Sequence, residues 1–372
     1  MLWMYVGFTL LVLLLLALDL GVFHRKAHVV SVKEALTWSV IWAALGMSFS
    51  AFIYFGYENH WLGLGLTPDM MTADPQMVEG VGKVYNDGSS ALIKYITGYL
   101  VEKSLAVDNI FVIAMIFGFF AVPPIYQHRV LFWGILGALL MRGVMIAIGA
   151  ELITRFTWTI YIFGGFLILT GIKMLVIKTD HHDPHGNIVV RLVRRWIPIT
   201  EKYHGEHFFV RGGSAASLEP ATPGAAVEED RVVKSARAGA LLATPLFLAL
   251  VSVEFTDLIF AVDSIPAIFA ITADPFIVFT SNVFAILGLR SLYFALAGMI
   301  DKFRYLKAAL AAVLMLVGGK MMIHGWLTEV LGPNFNLYLL GVVVLILAGG
   351  VIASLVRPSK KVEAAPAAPH EH

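Results

Sequence analysis

The sequence predicts an all-α, polytopic integral membrane protein, a helical bundle of about nine transmembrane helices that contains an inverted repeat. Three observations lead to this fold class. The 372 residues are 58% hydrophobic and only 14% charged, whereas soluble domains carry about 25% charged residues. Nine stretches have the length and apolar character of a spanning helix. Two of these stretches share a short motif with acidic residues, a pattern typical of secondary transporters.

The nine candidate spans divide the chain into two membrane halves. A spanning helix needs roughly 20 mainly apolar residues. This condition is met near 3–23, 37–57, 91–120, 130–150, 157–177, 239–262, 276–297, 306–323 and 337–356. The first span lacks the basic start and the cleavage site of a signal peptide, so we interpret it as a retained helix. The predicted division is a first membrane half with five spans (1–177), a cytoplasmic loop (178–238), a second membrane half with four spans (239–357) and a cytoplasmic tail (358–372).

The distribution of basic residues predicts the orientation of the spans. If the N-terminus lies outside, the segments assigned to the cytoplasm hold 19 of the 27 Lys and Arg residues. The external segments hold only Lys83 and Arg155. Short cytoplasmic loops are enriched in Lys and Arg. We therefore expect the N-terminus outside and the C-terminus inside.

Two connecting segments raise questions of their own. The external segment 58–89 is acidic and could form an outer vestibule for a cation, although a solvated loop with ordinary charges is the simpler interpretation. The cytoplasmic loop ends in an Ala- and Pro-rich linker at 214–230, which we expect to be flexible and to carry no chemistry. The loop histidines could bind zinc or sense metal, but their spacing matches no structural zinc pattern: His181, His182, His185, His204 and His207.

The repeat consists of two nine-residue segments in the third and sixth spans. EKSLAVDNI (102–110) recurs as DLIFAVDSI (257–265), so both copies read acid-x-x-x-Ala-Val-Asp-[Asn/Ser]-Ile. On the predicted topology the two spans cross the membrane in opposite directions. Inverted repeats of this kind place the substrate site of transporters near the bilayer midplane. We therefore expect the third and sixth spans to cross at the centre of the bundle.

Six acidic residues fall inside the predicted spans. A charged side chain at the centre of a span costs roughly 2.5–3.5 kcal/mol, so six unpaired acids would cost about 15–20 kcal/mol, more than a typical protein's stability of about 5–15 kcal/mol. Protons, a bound metal ion or intramembrane bases must neutralise them. Lys103 beside Glu102, or Arg290 against an acid of the sixth span, could form buried ion pairs. The acids are Asp19, Glu102, Asp108, Glu254, Asp257 and Asp263.

Oxygen ligands surround the second aspartate of each copy. Asp108 is followed by Asn109 and Asp263 by Ser264. Pro266 lacks the N–H that would pair with the carbonyl of residue 262, so that carbonyl is a further candidate ligand. Carboxylate, hydroxyl and carbonyl oxygens suit magnesium, calcium or manganese, while zinc and copper prefer imidazole and sulfur. We therefore predict a hard divalent cation site.

Two further residues of the spans, Asn282 and Pro245, have alternative interpretations. Asn282 in the seventh span is another candidate ligand, although hydrogen bonding between helices is the commoner use of such a residue. Pro245 in the sixth span predicts a kink, although the helix packing could also tolerate this proline.

Other classes of function are excluded or disfavoured. A formal net charge of +1 provides no surface for a polyanion, so we expect no nucleic-acid partner. The absence of cysteine removes thiolate ligands and nucleophiles. Two membrane aspartates could share a proton as in an intramembrane aspartyl protease, but the Ala-Val-Asp contexts lack the Tyr-Asp and Gly-x-Gly-Asp environments of those enzymes. We expect neither an enzyme nor a resident cofactor.

At these residues the sequence resembles the TerC/Alx family of integral membrane proteins. The matching segments are ALDLGVFHRK (17–26), YLVEKSLAVDNIFVIAMIF (99–117), VEFTDLIFAVDSIPAIFAIT (253–272) and DPFIVFTSNVFAILGLRSLYF (274–294). The resemblance covers the membrane part of the chain. It implies a role in manganese homeostasis, chiefly export, in a bacterial cytoplasmic (inner) membrane, and an association with tellurium resistance. By motif it implies that the six intramembrane acids handle the cation.

Two functions follow as hypotheses. The first is export of manganese from the cytoplasm through a metal site formed by Asp19, Glu102, Asp108, Asn109, Glu254, Asp257, Asp263 and Ser264, with the lipid bilayer and the divalent cation as partners. The second is a membrane scaffold or accessory protein for tellurite or other stress resistance that transports nothing itself. Metal flux in reconstituted vesicles distinguishes them.

Overall fold

The protein is described by a computed structural model. It describes residues 2–19, 30–72, 75–156, 158–176, 195–212, 239–296, 305–323 and 335–356, and isolated positions at 193, 232–233, 236–237, 326–327 and 330. The predicted linker at 214–230, the C-terminal tail and His181, His182 and His185 lie outside these residues. The side chains of Asp108 and Asp263 also lie outside the described part, although both positions are helical.

Within the described residues, ten helices account for the nine predicted spans, so the all-α, polytopic fold class is confirmed. The first five spans and the last four lie on either side of the 178–238 segment. The helices are α1 (Leu2–Leu18), α2 (Val32–Glu58), α3 (Gly88–Phe119), α4 (Pro124–Arg155), α5 (Thr159–Val176), α6 (Pro245–Phe269), α7 (Pro275–Ile286), α8 (Leu289–Leu296), α9 (Leu306–Met322) and α10 (Phe335–Val356).

Helix starts follow from local chemistry. The Asp87 carboxylate accepts a hydrogen bond from the Ser90 N–H at 2.6 Å and caps α3. The Asp274 carboxylate caps α7 in the same way, with Pro275 at the first helical position. The kink predicted at Pro245 is wrong, because Pro245 begins α6, where its missing N–H costs nothing. Pro266 lies inside α6, which continues to Phe269.

The seventh span is broken, contrary to the single helix expected from the sequence. Leu287 leaves the helical conformation, and Gly288 adopts a φ of +81° between α7 and α8. A Cβ at Gly288 would lie 2.6 Å from the Cβ of Trp42 on α2. Both the left-handed backbone and this close approach therefore require glycine. The break places backbone carbonyls inside the bundle, where they need donors.

The outer surface of the bundle is apolar. Six of the helical segments in the described chain are long and apolar enough to cross a membrane, counting Pro275–Leu296 as one. On α5, exposed side chains include Tyr161, Ile162, Leu169 and Ile172. A soluble protein of this size would cover such a surface, whereas a lipid bilayer solvates it.

The core helices pack crosswise, as an inverted repeat requires. α3 packs chiefly against α7 and α2, and α4 packs chiefly against α6. If α3 corresponds to α6 and α4 to α7, exchanging the two copies converts the first of these pairs into the α4–α6 pair. α3 and α6 also contact each other directly. The third and sixth spans therefore pack against each other inside the bundle.

A buried network shows that α3 and α6 are antiparallel. Asp69, in the segment between α2 and α3, accepts hydrogen bonds from Lys94 near the start of α3 at 3.0 Å and from Thr272 beyond the end of α6 at 2.5 Å. The Ala273 N–H donates to the other Asp69 oxygen at 2.8 Å. The start of α3 and the end of α6 thus lie at the same end of the bundle, which we call the Asp69 end.

Asp69 is a structural residue rather than a lining of an open vestibule. Its side chain and that of Lys94 are fully buried. Burial by itself raises the pKa of Asp69, but the Lys94 ammonium and the hydrogen bonds from Thr272 and Ala273 outweigh burial and hold that pKa well below its ordinary value. The acidic-vestibule interpretation therefore fails at Asp69.

Two short antiparallel ribbons interrupt the all-helical pattern. β1 (Gln76–Val78) pairs with β2 (Gly82–Val84) in the segment before α3. β3 (Phe209–Arg211) pairs with β4 (Leu241–Ala243) immediately before α6. The Tyr203 hydroxyl donates to the Phe120 carbonyl at 2.7 Å. The segment around β3 therefore packs at the turn between α3 and α4, which we call the opposite end of the bundle.

Lys94→Met should destabilise the protein by about 3–5 kcal/mol, because it leaves the Asp69 carboxylate buried without its counter-charge. The matched control is Arg155→Met. It removes the exposed Glu151–Arg155 pair on α4 and should change stability by less than about 1 kcal/mol. Thermal unfolding in detergent measures both. Equal melting temperatures for the two variants would contradict the structural role of the Asp69–Lys94 pair.

Candidate functional site

An arginine occupies the centre of the bundle. Arg142 lies near the middle of α4 and is 2% exposed. Its Nη1 forms an ion pair with Glu102 of α3 and donates to Ser264 Oγ of α6 at 3.2 Å and to Asn282 Oδ1 of α7 at 3.3 Å. Its Nη2 and Nε donate to the Asp257 carboxylate of α6 at 3.2 and 3.4 Å. These five residues form what we call the Arg142 cluster.

The cluster joins the two copies of the repeat. Glu102 and Asp257 are the first acids of the two copies, and both bind the same guanidinium. Asn109, from the first copy, donates to Asp257 at 3.5 Å. Ser264 holds the equivalent position in the second copy. The antiparallel crossing of α3 and α6 therefore brings matching residues of the repeat to one site.

Glycines on α4 allow α6 to approach the site closely. A Cβ at Gly134 would lie 3.3 Å from Val253, and a Cβ at Gly137 would overlap the Glu254 carboxylate. Small residues at helix contacts permit this kind of backbone approach in membranes. Glu254 lies three residues before Asp257, on the same face of α6. No described residue donates a hydrogen bond to it.

Two buried polar atoms of the cluster have no hydrogen-bond partner among the described residues. They are Glu102 Oε2 and Asn282 Nδ2, and both residues are fully buried. An unsatisfied buried polar group costs about 1–3 kcal/mol, and more when it is charged. The guanidinium therefore does not satisfy the whole site. The free Glu102 oxygen can accept a proton or bind a cation.

A small cleft lies beside the cluster, on the side that faces the opposite end of the bundle. Its polar lining consists of Asn109, Thr256 and Asp257. The remaining lining is apolar and includes Ile113 of α3 and Leu131 of α4. Asp257 thus has one side on the guanidinium and the other on the cleft, and it is the carboxylate that an incoming ion would meet there.

The side-chain ammonium group of Lys103 binds the backbone at the break between α7 and α8. Lys103 Nζ donates to the carbonyls of Ala285 and Leu287 at 3.0 and 3.3 Å. Lys103 therefore does not form the ion pair with the neighbouring Glu102 that the sequence left open, because the broken helix offers it unpaired carbonyls. A positive charge at the C-terminal end of α7 also complements the helix dipole.

Asp19 belongs to a separate ion pair. Its carboxylate accepts from Arg290 Nη2 of α8 at 2.9 Å. The sequence raised the possibility that Arg290 pairs with an acid of the sixth span, whereas α8 brings Arg290 to Asp19 at the end of α1. Asp19 is thus neutralised apart from the cluster, although the resemblance grouped it with the other acids.

The predicted ligand set is therefore brought together in part. Glu102, Asp257 and Ser264 lie in the cluster, Asn109 touches Asp257, and Glu254 lies beside it. Among the described side chains no group of three or more His, Asp or Glu residues is arranged to hold a metal ion. The side chains of Asp108 and Asp263 are outside that search, so a site shared by these two aspartates stays a prediction.

Arg142 is the central residue that sequence reasoning did not assign to the site. The available signal was an arginine inside an apolar span, which needs a buried acid as partner.

His204 and His207 lie in the described loop, and no described zinc-type cluster includes them.

The chain is similar to membrane proteins from several bacteria. It is 45% identical over 354 residues to the "Uncharacterized membrane protein STKORF319" of Myxococcus xanthus, covering 95% of this chain and 92% of the relative. It is 42% identical over 318 residues to the "Putative membrane-bound redox modulator Alx" of Escherichia coli K12, covering 85% and 84%. An uncharacterized membrane protein of Rickettsia bellii is 36% identical, covering 95% and 97%.

No solved structure is a significant match to this chain. The chain does match the integral membrane protein TerC family over residues 87–362. That range includes both copies of the repeat and every residue of the Arg142 cluster. The chain therefore belongs to the TerC family of integral membrane proteins.

Proposed function

We propose that this protein exports manganese, as a hard divalent cation, from the cytoplasm across a bacterial inner membrane. The observation that carries the proposal is the Arg142 cluster, where two copies of an inverted repeat bring carboxylate, hydroxyl and amide oxygens from three helices to one buried point. These oxygens are the ligands that magnesium, calcium and manganese prefer. The carboxylates of Glu102 and Asp257 would be costly to bury without a compensating positive charge.

The direction of transport follows from the proposed topology. With the N-terminus outside and the C-terminus inside, the opposite end of the bundle faces the cytoplasm. The cleft lined by Asp257 and Asn109 then lies on the cytoplasmic side of the Arg142 cluster. Because the buried Asp69–Lys94 network lies at the Asp69 end, we propose that the ion enters the cluster from the cytoplasmic side. The ion is the cargo, and we propose neither a resident cofactor nor a catalytic residue.

The name of the Escherichia coli relative includes redox modulation. This chain has no cysteine, so its own side chains cannot carry out thiol–disulfide exchange. Manganese is itself redox-active. A transporter that changes its cytoplasmic concentration would affect redox balance indirectly, which reconciles the two descriptions.

One observation favours the alternative, a scaffold or accessory protein for stress resistance that transports nothing. Glu102, Asp257 and Asp19 all have basic partners, so the fold can neutralise them without any ion. The two hypotheses differ in whether the purified protein moves metal. Reconstitution into liposomes, with manganese flux as the readout, separates them directly.

Asp257→Asn should reduce manganese flux in proteoliposomes at least about tenfold, the effect of losing ~1.4 kcal/mol of ion binding. Arg142 keeps Glu102 as its partner in this variant, so the protein should still fold. The matched control is Glu151→Gln, an acid of α4 that is exposed and distant from the cluster, and it should keep full flux. Full flux in Asp257→Asn would exclude Asp257 from the ion path.

Asp108→Asn and Asp263→Asn should each abolish manganese flux while the protein stays folded and inserted. The change removes the negative charge but keeps size, and a neutral amide is easier to bury than a carboxylate. Flux and thermal stability are measured on the same purified variants. If either aspartate is only one partner of a buried ion pair, the variant should instead lose about 3–5 kcal/mol of stability. A stable variant with full flux would mean that the aspartate has no role in transport.

A further inference from the structure

Oxygen atoms of the type that bind a hard cation surround the Arg142 guanidinium. Around Nη1 lie oxygens of Glu102, Ser264 and Asn282, contributed by α3, α6 and α7. Asp257 closes the group from the side of Nη2. A hard cation is bound by this type of shell, made of side-chain oxygens from several elements. The arginine itself comes from α4, a helix that contributes none of these oxygens.

Charge gives a divalent ion an advantage over the guanidinium. Glu102 and Asp257 carry two negative charges, whereas the guanidinium provides one positive charge. Glu102 Oε2 and Asn282 Nδ2 remain without partners in this arrangement among the described residues. A divalent cation would balance both carboxylates, while a monovalent ion would gain no charge over the arginine that it replaces.

A third acid, Glu254, lies close to the cluster. Glu254 lies one helical turn from Asp257 toward the opposite end, and it packs on Gly137 of α4, the helix that carries Arg142. Glu254 is partly exposed, and like charges three residues apart on a helix repel each other.

We propose that Arg142 is a built-in competitor of the transported ion: it holds the carboxylates of Glu102 and Asp257 when no ion is bound, and the divalent cation must displace it. This proposal rests on the proposed function, since it specifies how the same site is filled and emptied. It assigns to Arg142 the exclusion of monovalent cations. It also explains how the empty site crosses between conformations without two bare carboxylates in an apolar core.

The test is manganese binding to the purified full chain in detergent, read from the loss of the electron paramagnetic resonance signal of free Mn²⁺. Arg142→Gln removes the competing charge and should tighten Mn²⁺ binding about tenfold or more. Arg142→Lys keeps a competing charge and should bind Mn²⁺ no more tightly than the wild type. In Arg142→Gln, high sodium should weaken Mn²⁺ binding more than it does in the wild type.

Stability provides a second readout, because Arg142→Gln leaves Glu102 and Asp257 unpaired. The ion-free variant should melt below the wild type, and Mn²⁺ should raise its melting temperature more than that of the wild type. If Arg142→Gln does not fold, the double variant Arg142→Gln with Glu254→Gln removes one further charge. It should also bind Mn²⁺ more tightly than Glu254→Gln alone.

The outcomes distinguish this inference from the proposed function. Binding of Mn²⁺ to the wild type with equal or weaker binding to Arg142→Gln would overturn the competitor role but leave transport standing. The absence of Mn²⁺ binding from wild type and variants alike would overturn the proposed function itself. Tighter binding in Arg142→Gln than in Arg142→Lys, together with the sodium effect, supports the competitor role.

Discussion

The cost of burying charge in an apolar medium governs the interior of this protein. A single uncompensated charge at the centre of a span costs about 2.5–3.5 kcal/mol. Buried charges of the described core therefore contact opposite charges: Arg142 contacts Glu102 and Asp257, Lys94 contacts Asp69, and Arg290 contacts Asp19. The Arg142 contacts connect α3, α4, α6 and α7. Because these contacts cross the bundle, helix arrangement and site geometry depend on the same interaction.

The inverted repeat makes such an interaction possible. Because α3 and α6 are antiparallel, the first acids of the two copies, Glu102 and Asp257, lie on either side of the Arg142 guanidinium, which comes from α4. Glycines at 134 and 137 let α4 and α6 approach closely enough for this contact. The seventh span contributes Asn282 of α7, which accepts a hydrogen bond from Arg142. Its break exposes two backbone carbonyls, which Lys103 binds. The site is thus assembled from irregular features that lipid contact would not tolerate.

Much of the fold could be predicted from the sequence, because span length and hydropathy are properties of contiguous residues. All nine spans coincide with helices, and the repeat identified both helices that cross at the centre. The same repeat pointed to Glu102, Asp257, Asn109 and Ser264, which the structure brings together. These residues could be predicted because an acidic side chain inside a span is energetically unfavourable unless it faces a partner in the interior of the bundle.

Partner identity could not be predicted, because it depends on which helix faces pack. Sequence proximity suggested Glu102 with Lys103, but adjacent residues on a helix point about 100° apart, and Lys103 faces the end of α7. Arg142 is forty residues from Glu102 and 115 from Asp257, so no local pattern linked them. The break at Gly288 was hidden for a similar reason, since its requirement for glycine arises partly from Trp42 of a distant helix.

In the proposed mechanism, the two copies of the repeat form one cation site, and the Arg142 guanidinium occupies this site when no ion is bound. Anomalous scattering at the manganese edge, from crystals grown with Mn²⁺, tests it most directly. A manganese peak should lie within about 2.0–2.6 Å of oxygens of Glu102 and Asp257, with the Arg142 guanidinium moved away from them. Manganese bound elsewhere in the bundle, with the Arg142 contacts intact, would contradict it.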